Sequence, residues 1–322
     1  MQRDHRVFRL ANHKFDEFSW NKEIDPNNFE RQVRSIINSK NIDFVLVYNS
    51  GKEMTGLYLN CVDILSRLDI PKFYVGTDYF RFEFSEKEAA LIKKAGFSQV
   101  FFRHKASLRF GLSCPSAWLP YSVDIERFNR HSIDDFRNKD KLVGFLGASK
   151  YLGVQKGESL TAKQAKKIEK ESQFRNELYS QRIKALEALE HKGLINTTRY
   201  NPGTRQRTKF GYDDYITFLS SNWFGLTCGG TCNFFVAKYV EIPAAYSMLV
   251  CSKTDGLEIF DRNLYIEYDV NNLSKMIEEV EYHIQNERET EDKILKMRGI
   301  IEDEHTHSQR ADYLMKEVGR YL

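Results

Sequence analysis

The sequence predicts an α/β fold of two units, each a parallel sheet flanked by helices, facing a cleft. Three observations predict it. Short β-rich runs alternate with helical patterns along most of the 322 residues. Several runs, such as Ile42–Tyr48 (IDFVLVY) and Ser247–Cys251 (SMLVC), are apolar at nearly every position, as strands buried on both faces are. The length also passes the roughly 250–300 residues at which a single core stops growing.

In the first unit Ile42–Tyr48 is the first clear strand, and a helical face of Leu57, Cys61, Ile64, Leu65 and Leu68 follows it. Pro71 precedes the next strand, Lys72–Asp78. Ser85 and Glu88 have the spacing of a capping box, and the helix they open stops at Gly96. Strands at Ser98–Arg103 and Ala117–Tyr121 complete the unit. The usual opening strand with a glycine-rich turn is lacking, His5–Ala11 being the nearest candidate, so this sheet reads as reduced. The polar stretch Asp124–Asp140 reads as the linker, which sets the units at 1–137 and 138–322.

The second unit opens with the strand Lys141–Gly147. A helix near Glu171–His191, a strand near Leu194–Arg199 and a helix near Tyr212–Ser221 follow. Trp223–Cys251 then reads as a buried strand, a Gly-Gly turn, a helix carrying Lys238 and Glu241, and a second buried strand. After a strand near Asn263–Tyr268 comes an amphipathic helix with Leu273, Met276, Ile277, Val280 and Ile284 on one face. Two more helical segments finish the chain, the last expected to pack back on the first unit. No internal repeat or low-complexity tract interrupts the pattern.

Composition excludes some classes. A net charge of +3 makes no general polyanion binder. No apolar run approaches the roughly 18 residues of a membrane span. The N-terminal MQRDHRVFRL has no signal-peptide core, so a cytoplasmic protein is expected. Cys61, Cys114, Cys228, Cys232 and Cys251 fit reduced thiols in such a compartment. Cys228 and Cys232 lack the His and Cys partners of a zinc site, and no metal is expected.

The chemistry concentrates in Trp223–Cys251. A strand that ends in glycines and opens a helix points backbone N–H groups at one spot, where the helix adds about half a positive charge. Glu241 is expected about two turns inside that helix, where a carboxylate accepts bonds from sugar hydroxyls. A nucleotide or nucleotide-sugar site follows. Two small-residue turns, Gly147-Ala148-Ser149 and Gly229-Gly230-Thr231, fall at the carboxyl ends of strands, where open α/β sheets bind ligands. Glycine permits close backbone approach, and Thr231 or Asn233 can cap the helix or bond a phosphate. A mere turn-shaping role is the alternative for each. Lys238 and Glu241 share a helix face. A solvated surface pair is the alternative, but Val236, Tyr239, Val240, Ile242 and Pro243 leave that helix little surface to decorate.

These motifs carry a resemblance. VGFLGA, the Arg182-bearing YSQRIKALEAL, LTCGGTCNFFVAKYVEIPAAYSMLVC and EHTHSQRADYL resemble the C-terminal half of GT-B glycosyltransferases. The nearest group is the CgeB-like, family-1-type transferases, and KFYVGTDYFRFE, GFSQVFFRHKAS and WLPYSVDIERF resemble its N-terminal half. The resemblance implies a hexosyltransferase-type enzyme that moves a sugar from a nucleoside diphosphate sugar, with the donor as co-substrate and no cofactor or metal. It places the donor against the second unit. Glu241 takes the position of a ribose-binding Glu; Gly147, Ala148, Gly229, Gly230 and Thr231 match the backbone that meets the diphosphate, with Lys238 and Arg182 beside it. Many retaining members carry a second Glu where this chain has Asn233, so retention rests on the family alone. Asp78 matches an Asp at the interdomain cleft and is expected as general base or acceptor-hydroxyl ligand, with helix capping as the alternative. The His often found two positions later is Phe80 here.

Arg103 and His104, with Lys105, are expected on the acceptor side; a solvated loop is the alternative. The acceptor is unidentified: a glycan, a protein, a lipid or, with less support, nucleic acid. The insertion 149–175 carries Lys150, Lys156, Lys163, Lys166, Lys167 and Lys170, and a second basic loop carries Arg199, Arg205 and Arg207. Both are expected to flank the cleft and bind an anionic donor or acceptor, unless the lysines are solvated and offset by Glu158, Glu169 and Glu171. A nucleotide-sugar epimerase or hydrolase on the same scaffold, and a non-enzymatic two-lobed binding protein, are the competing functions.

Overall fold

The computed structural model describes residues 31, 34–35, 37–38, 42–49, 62–76, 86–146, 166, 169–170, 173, 176–177, 179–197, 211–230 and 233–322. They divide into two compact units. The first takes described residues within Met1–Phe102, Leu108–Ala117 and Val318–Leu322, and the second Arg103–Ser107 and Trp118–Glu317.

The first unit holds β1 (Val45–Asn49), β2 (Lys72–Gly76), α1 (Glu86–Ala95), β3 (Gln99–Phe102) and most of β4 (Ser116–Trp118), its sheet ordered β1-β2-β3-β4. β1, β2 and β3 are parallel, with Val47 opposite Tyr74 and Val75 opposite Phe101. Every residue of β2 and β3 is buried, as the apolar runs predict. Tyr74, Val100 and Phe102 pack against Leu65, Leu68, Ile92 and Phe97 on one face. The ring of Phe73 meets Phe101 and, edge-on at 5.5 Å, Tyr321. α1 ends where expected: Gly96 takes φ 67° and its amide donates to Lys93 O at 3.2 Å.

The second unit holds α2 (Ile125–His131), β5 (Asp140–Phe145), α3 (Ser180–His191), β6 (Ile195–Thr197), α4 (Tyr212–Ser220) and β7 (Asn222–Thr227). Then come α5 (Lys238–Ala244), β8 (Met248–Ser252), β9 (Ile266–Tyr268), α6 (Leu273–Gln285), α7 (Glu287–Glu304) and α8 (His307–Val318), whose last residue groups with the first unit. All five strands are parallel in the order β6-β5-β7-β8-β9. Met248 and Val250 of β8 face a core built with α3 and α6, while Leu249 and Cys251 face one built with α2, α4, α5 and α7. Covering both faces is what buries every residue of β7 and β8 and keeps their centres apolar.

The stretch Asp124–Asp140 is folded, against its reading as a linker. Asp124 Oδ1 caps α2 by accepting from Arg127 N at 3.2 Å, and Asp135 caps a short 3-10 turn at Phe136–Asn138. One apolar residue, Phe128, is fully buried in the second unit's core. Apart from the buried Lys139, the polar residues around it are caps or at least partly solvent-facing, which is why composition alone resembled a linker.

The seven-residue α5 is fixed at both ends. A Cβ on Gly225 of β7 would lie 2.7 Å from Ile242, so the glycine lets α5 press onto the sheet. Past its last residue, Tyr246 takes φ 54°, and two buried basic side chains satisfy the carbonyls left without a partner in the helix. Arg298 of α7 donates to Ala244 O, and Lys139 donates to Tyr246 O. Among the described residues no helix is long and apolar enough to cross a membrane.

Candidate functional site

The chain leaves β5 for β6 on one side, then returns to β7 on the other. That reversal makes the carboxyl ends of β5 and β7 a topological switch point, the place where parallel sheets leave a crevice for a ligand. Charged side chains gather there. Lys238, the first residue of α5, donates from Nζ to Leu146 O just beyond β5 and lies 5.1 Å from the centre of the Phe145 ring. The guanidinium of Arg182 on α3 lies 5.3 Å from the same ring and 4.2 Å from that of Tyr179. Burial, and then the neighbouring Arg182, hold the Lys238 ammonium down to about 8; Glu241 acts the other way. Cys228, just past β7, sits beside both cations, yet burial raises its thiol overall.

Glu241 faces α4. Its Oε2 accepts from the Tyr215 hydroxyl at 2.7 Å and its Oε1 from the Tyr212 hydroxyl at 3.1 Å. Burial and then the carboxylate raise both phenols, so they remain donors at any ordinary pH. Tyr212 is 38% exposed, and α2 braces it: Phe128 meets its ring edge-on, and Arg127 lies 4.9 Å from its centre. The two tyrosines escaped the sequence reading. Their only signal is spacing, three apart on one helix, while their partner lies 26 and 29 residues further on.

Two features of the opening expectation are corrected. The Gly229–Gly230 turn does not run into the helix that carries Lys238 and Glu241: Gly230 is in a 3-10 turn, and α5 begins only at Lys238. Instead the chain folds back on itself: Phe234 N donates to Gly229 O at 2.9 Å, Asn233 N to Gly230 O at 3.2 Å, and Gly229 N to Ser252 Oγ at 3.3 Å. Burial of Phe234 and Phe235 holds these residues in a loop. A Cβ on Gly229 would lie 2.8 Å from Phe234 N and O, so this glycine is set by close backbone approach. Glu241 therefore stands in the first turn of α5, not two turns inside a longer helix.

Of the expected site residues, Arg182, Lys238 and Glu241 come together at the switch point, with Gly229 and Gly230 buried in the adjoining loop. Asn233 is exposed at φ 51°, and its carbonyl accepts from Thr254 Oγ1. Asp78, Gly147, Ala148 and Thr231 lie outside the described residues, as do nearly all of the basic insertion and residues 198–210.

His104 is not in a solvated loop. It is 1% exposed, stacked on Phe234 at 4.3 Å, with Nδ1 3.2 Å from Phe235 O. A carbonyl can only accept, so Nδ1 carries the proton in the neutral ring. His104 thus holds the loop that follows the glycine turn. Arg103 donates from Nη1 to Pro120 O at 3.1 Å, and its own carbonyl accepts from Trp118 Nε1. Lys105 pairs with Glu258 at the surface, over Trp118. Among the described residues no group of three or more His, Cys, Asp or Glu is arranged to hold a metal ion.

No protein-family model and no curated protein matches the chain. Solved structures do. HepE of Anabaena, determined with UDP and glucose, superposes with a TM-score of 0.57 at 13% identity, covering 89% of this chain and 81% of HepE. Sucrose-phosphate synthase of Thermosynechococcus elongatus gives 0.55 at 10% identity, over 91% and 77% of the two chains. A glycosyltransferase of Rickettsia africae gives 0.53 at 12% identity, over 98% and 83%. At such identities the likeness speaks for architecture, and the fold is that of the GT-B glycosyltransferases, two α/β units each built on its own parallel sheet.

Proposed function

We propose that the chain is a glycosyltransferase that moves a sugar from a nucleoside diphosphate sugar to an acceptor still to be identified. The observation that carries the reading is Glu241 beside Lys238 and Arg182 at the switch point of a parallel sheet. Two cations there suit a diphosphate, and a carboxylate on the same short helix suits the ribose hydroxyls. The backbone at Gly229 and Gly230, with Gly147, Ala148, Thr231 and Asn233, completes the donor site. As the glycosidic bond breaks, negative charge grows on the leaving diphosphate. Lys238 and Arg182, already fixed against Phe145, offset it without reorganising. The reading assigns this neutralising role to side chains and not to a divalent ion. Asp78 is the proposed base or acceptor-hydroxyl ligand on its sequence motif alone. Arg103 and His104 stay on the acceptor side, His104 also holding the loop at Phe234–Phe235.

HepE has been solved with UDP-glucose, which makes UDP-sugars the first donors to try. The test is a thermal-shift titration with UDP, UDP-glucose and other nucleoside diphosphate sugars, on the wild type and on Glu241→Ala. The wild type should be stabilised and Glu241→Ala much less so. No stabilisation of the wild type by any of them would defeat the proposal. Equal stabilisation of both proteins would remove Glu241 from the site. Donor consumed to free sugar, whatever acceptor is added, would point to a hydrolase.

A further inference from the structure

Away from the switch point, the second unit brings together cationic side chains that have no acid between them. Val123 and Thr306 form a parallel bridge, with Val123 N donating to His305 O and His307 N to Val123 O, each at 3.0 Å. Two residues before Val123, Tyr121 carries the Arg103 guanidinium 5.5 Å from its ring centre. Across the bridge, His305 Nδ1 lies 2.9 Å from Arg310 Nη2. The acceptors among the described residues are neutral: Arg103 donates to Pro120 O at 3.1 Å, and Arg310 to Glu304 O at 3.2 Å. Among the described residues neither guanidinium has a carboxylate within ion-pair distance. Burial, and then the charge of Arg103, push Arg310 down to about 10.

The donors left over are buried. Arg103 Nε and Arg310 Nε are both enclosed without an acceptor. His305 is 4% exposed. Arginine has no lone pair to offer, so Nδ1 of His305 must be the acceptor and the ring proton sits on Nε2. That Nε2–H is a third enclosed donor without an acceptor. Buried donors nearly always find partners, and two neighbouring guanidiniums repel unless an anion lies between them. The planar fork of arginine matches the oxygens of phosphate and carboxylate.

We propose that Arg103, Arg310 and His305 form an oxyanion-binding site, which takes a phosphate or carboxylate group. That this group belongs to the sugar acceptor rests on the glycosyltransferase reading; the anion site itself does not.

The test titrates inorganic phosphate at constant ionic strength, against chloride, by thermal shift. Stabilisation is expected in the wild type and in Lys238→Met, where the switch-point site has lost a cation. It should fall at least tenfold in apparent affinity in Arg310→Met and Arg103→Met, and partly return in Arg310→Lys. Three results would overturn the proposal: no effect of phosphate beyond chloride in the wild type, undiminished binding by both methionine variants, or loss in Lys238→Met alone. Should the methionine variants fail to fold, selenate soaked into wild-type crystals decides, since anomalous density is required beside both guanidiniums and its absence there refutes the site. Phenyl phosphate binding more tightly than inorganic phosphate supports a phosphoryl group carried by an acceptor, and equal binding supports the free ion. UDP stabilisation is scored separately, so a failed donor site and a failed anion site remain distinguishable.

Discussion

The Tyr215 hydroxyl donates to Oε2 of Glu241 at 2.7 Å from the enclosed side of α4, while Tyr212 reaches Oε1 at 3.1 Å from the surface. The carboxylate is therefore oriented before any ligand arrives, and each oxygen keeps a lone pair free for the proposed ribose hydroxyl. Tyr215→Phe should leave the fold intact and weaken UDP binding by about tenfold, the equivalent of one hydrogen bond to a charged group. Tyr212→Phe should cost less. Calorimetric titration with UDP checks both.

Lys238 gives a pH signature. Its ammonium is held down to about 8, so the cation proposed to meet a diphosphate is present below that pH and lost above it. Nucleotide affinity should fall as pH rises through about 8 in the wild type. Lys238→Met should bind about tenfold or more weakly at pH 7 and lose that slope. Affinities measured from pH 7 to 9 decide the point.

Lys139 gives a stability signature of the opposite sense. Burial holds it down to about 7 in the folded protein, against an ordinary lysine value of 10.5. Between these values the unfolded chain binds more protons than the folded one, so stability rises with pH across that window. Lys139→Met should flatten the rise relative to the wild type. Urea unfolding at pH 7, 8 and 9 measures the difference; comparing the two proteins cancels the like-signed contribution of Lys238.

Gly225→Ala should push α5 off the sheet, because the new Cβ would meet Ile242 at 2.7 Å. Overpacking of this kind costs about 1–3 kcal/mol. The double variant Gly225→Ala, Ile242→Ala removes the atoms in the way and should recover part of the nucleotide binding lost by the single variant. Melting temperature and UDP affinity together test it.

The sheets were legible because buried parallel strands write themselves as apolar runs, as at Trp223–Leu226 in β7 and Met248–Cys251 in β8. Lys238 and Glu241 were legible because charged residues on an otherwise apolar helix stand out. The start of α5 was not. Local pattern allows the helix to run on from the glycine turn, and the burial of Phe234 and Phe235, with the bond from Phe234 N back to Gly229 O, keeps those two residues outside it. α2 was hidden for the same kind of reason, since it reaches the core through Phe128 and the partly buried Ile125 only, too few apolar positions to show a period. The burial of His104 was not legible because its partner, Phe235, is 131 positions away.

A helix of seven residues has no stability of its own in water. Arg298 of α7 and Lys139 bond the carbonyls at the end of α5, which ties the residues proposed to face a ligand to α7. Amide exchange in the middle of α7 should therefore slow when nucleotide binds, although no residue there need touch it. Ligand occupancy would be readable far from the ligand, as protection of a distant helix.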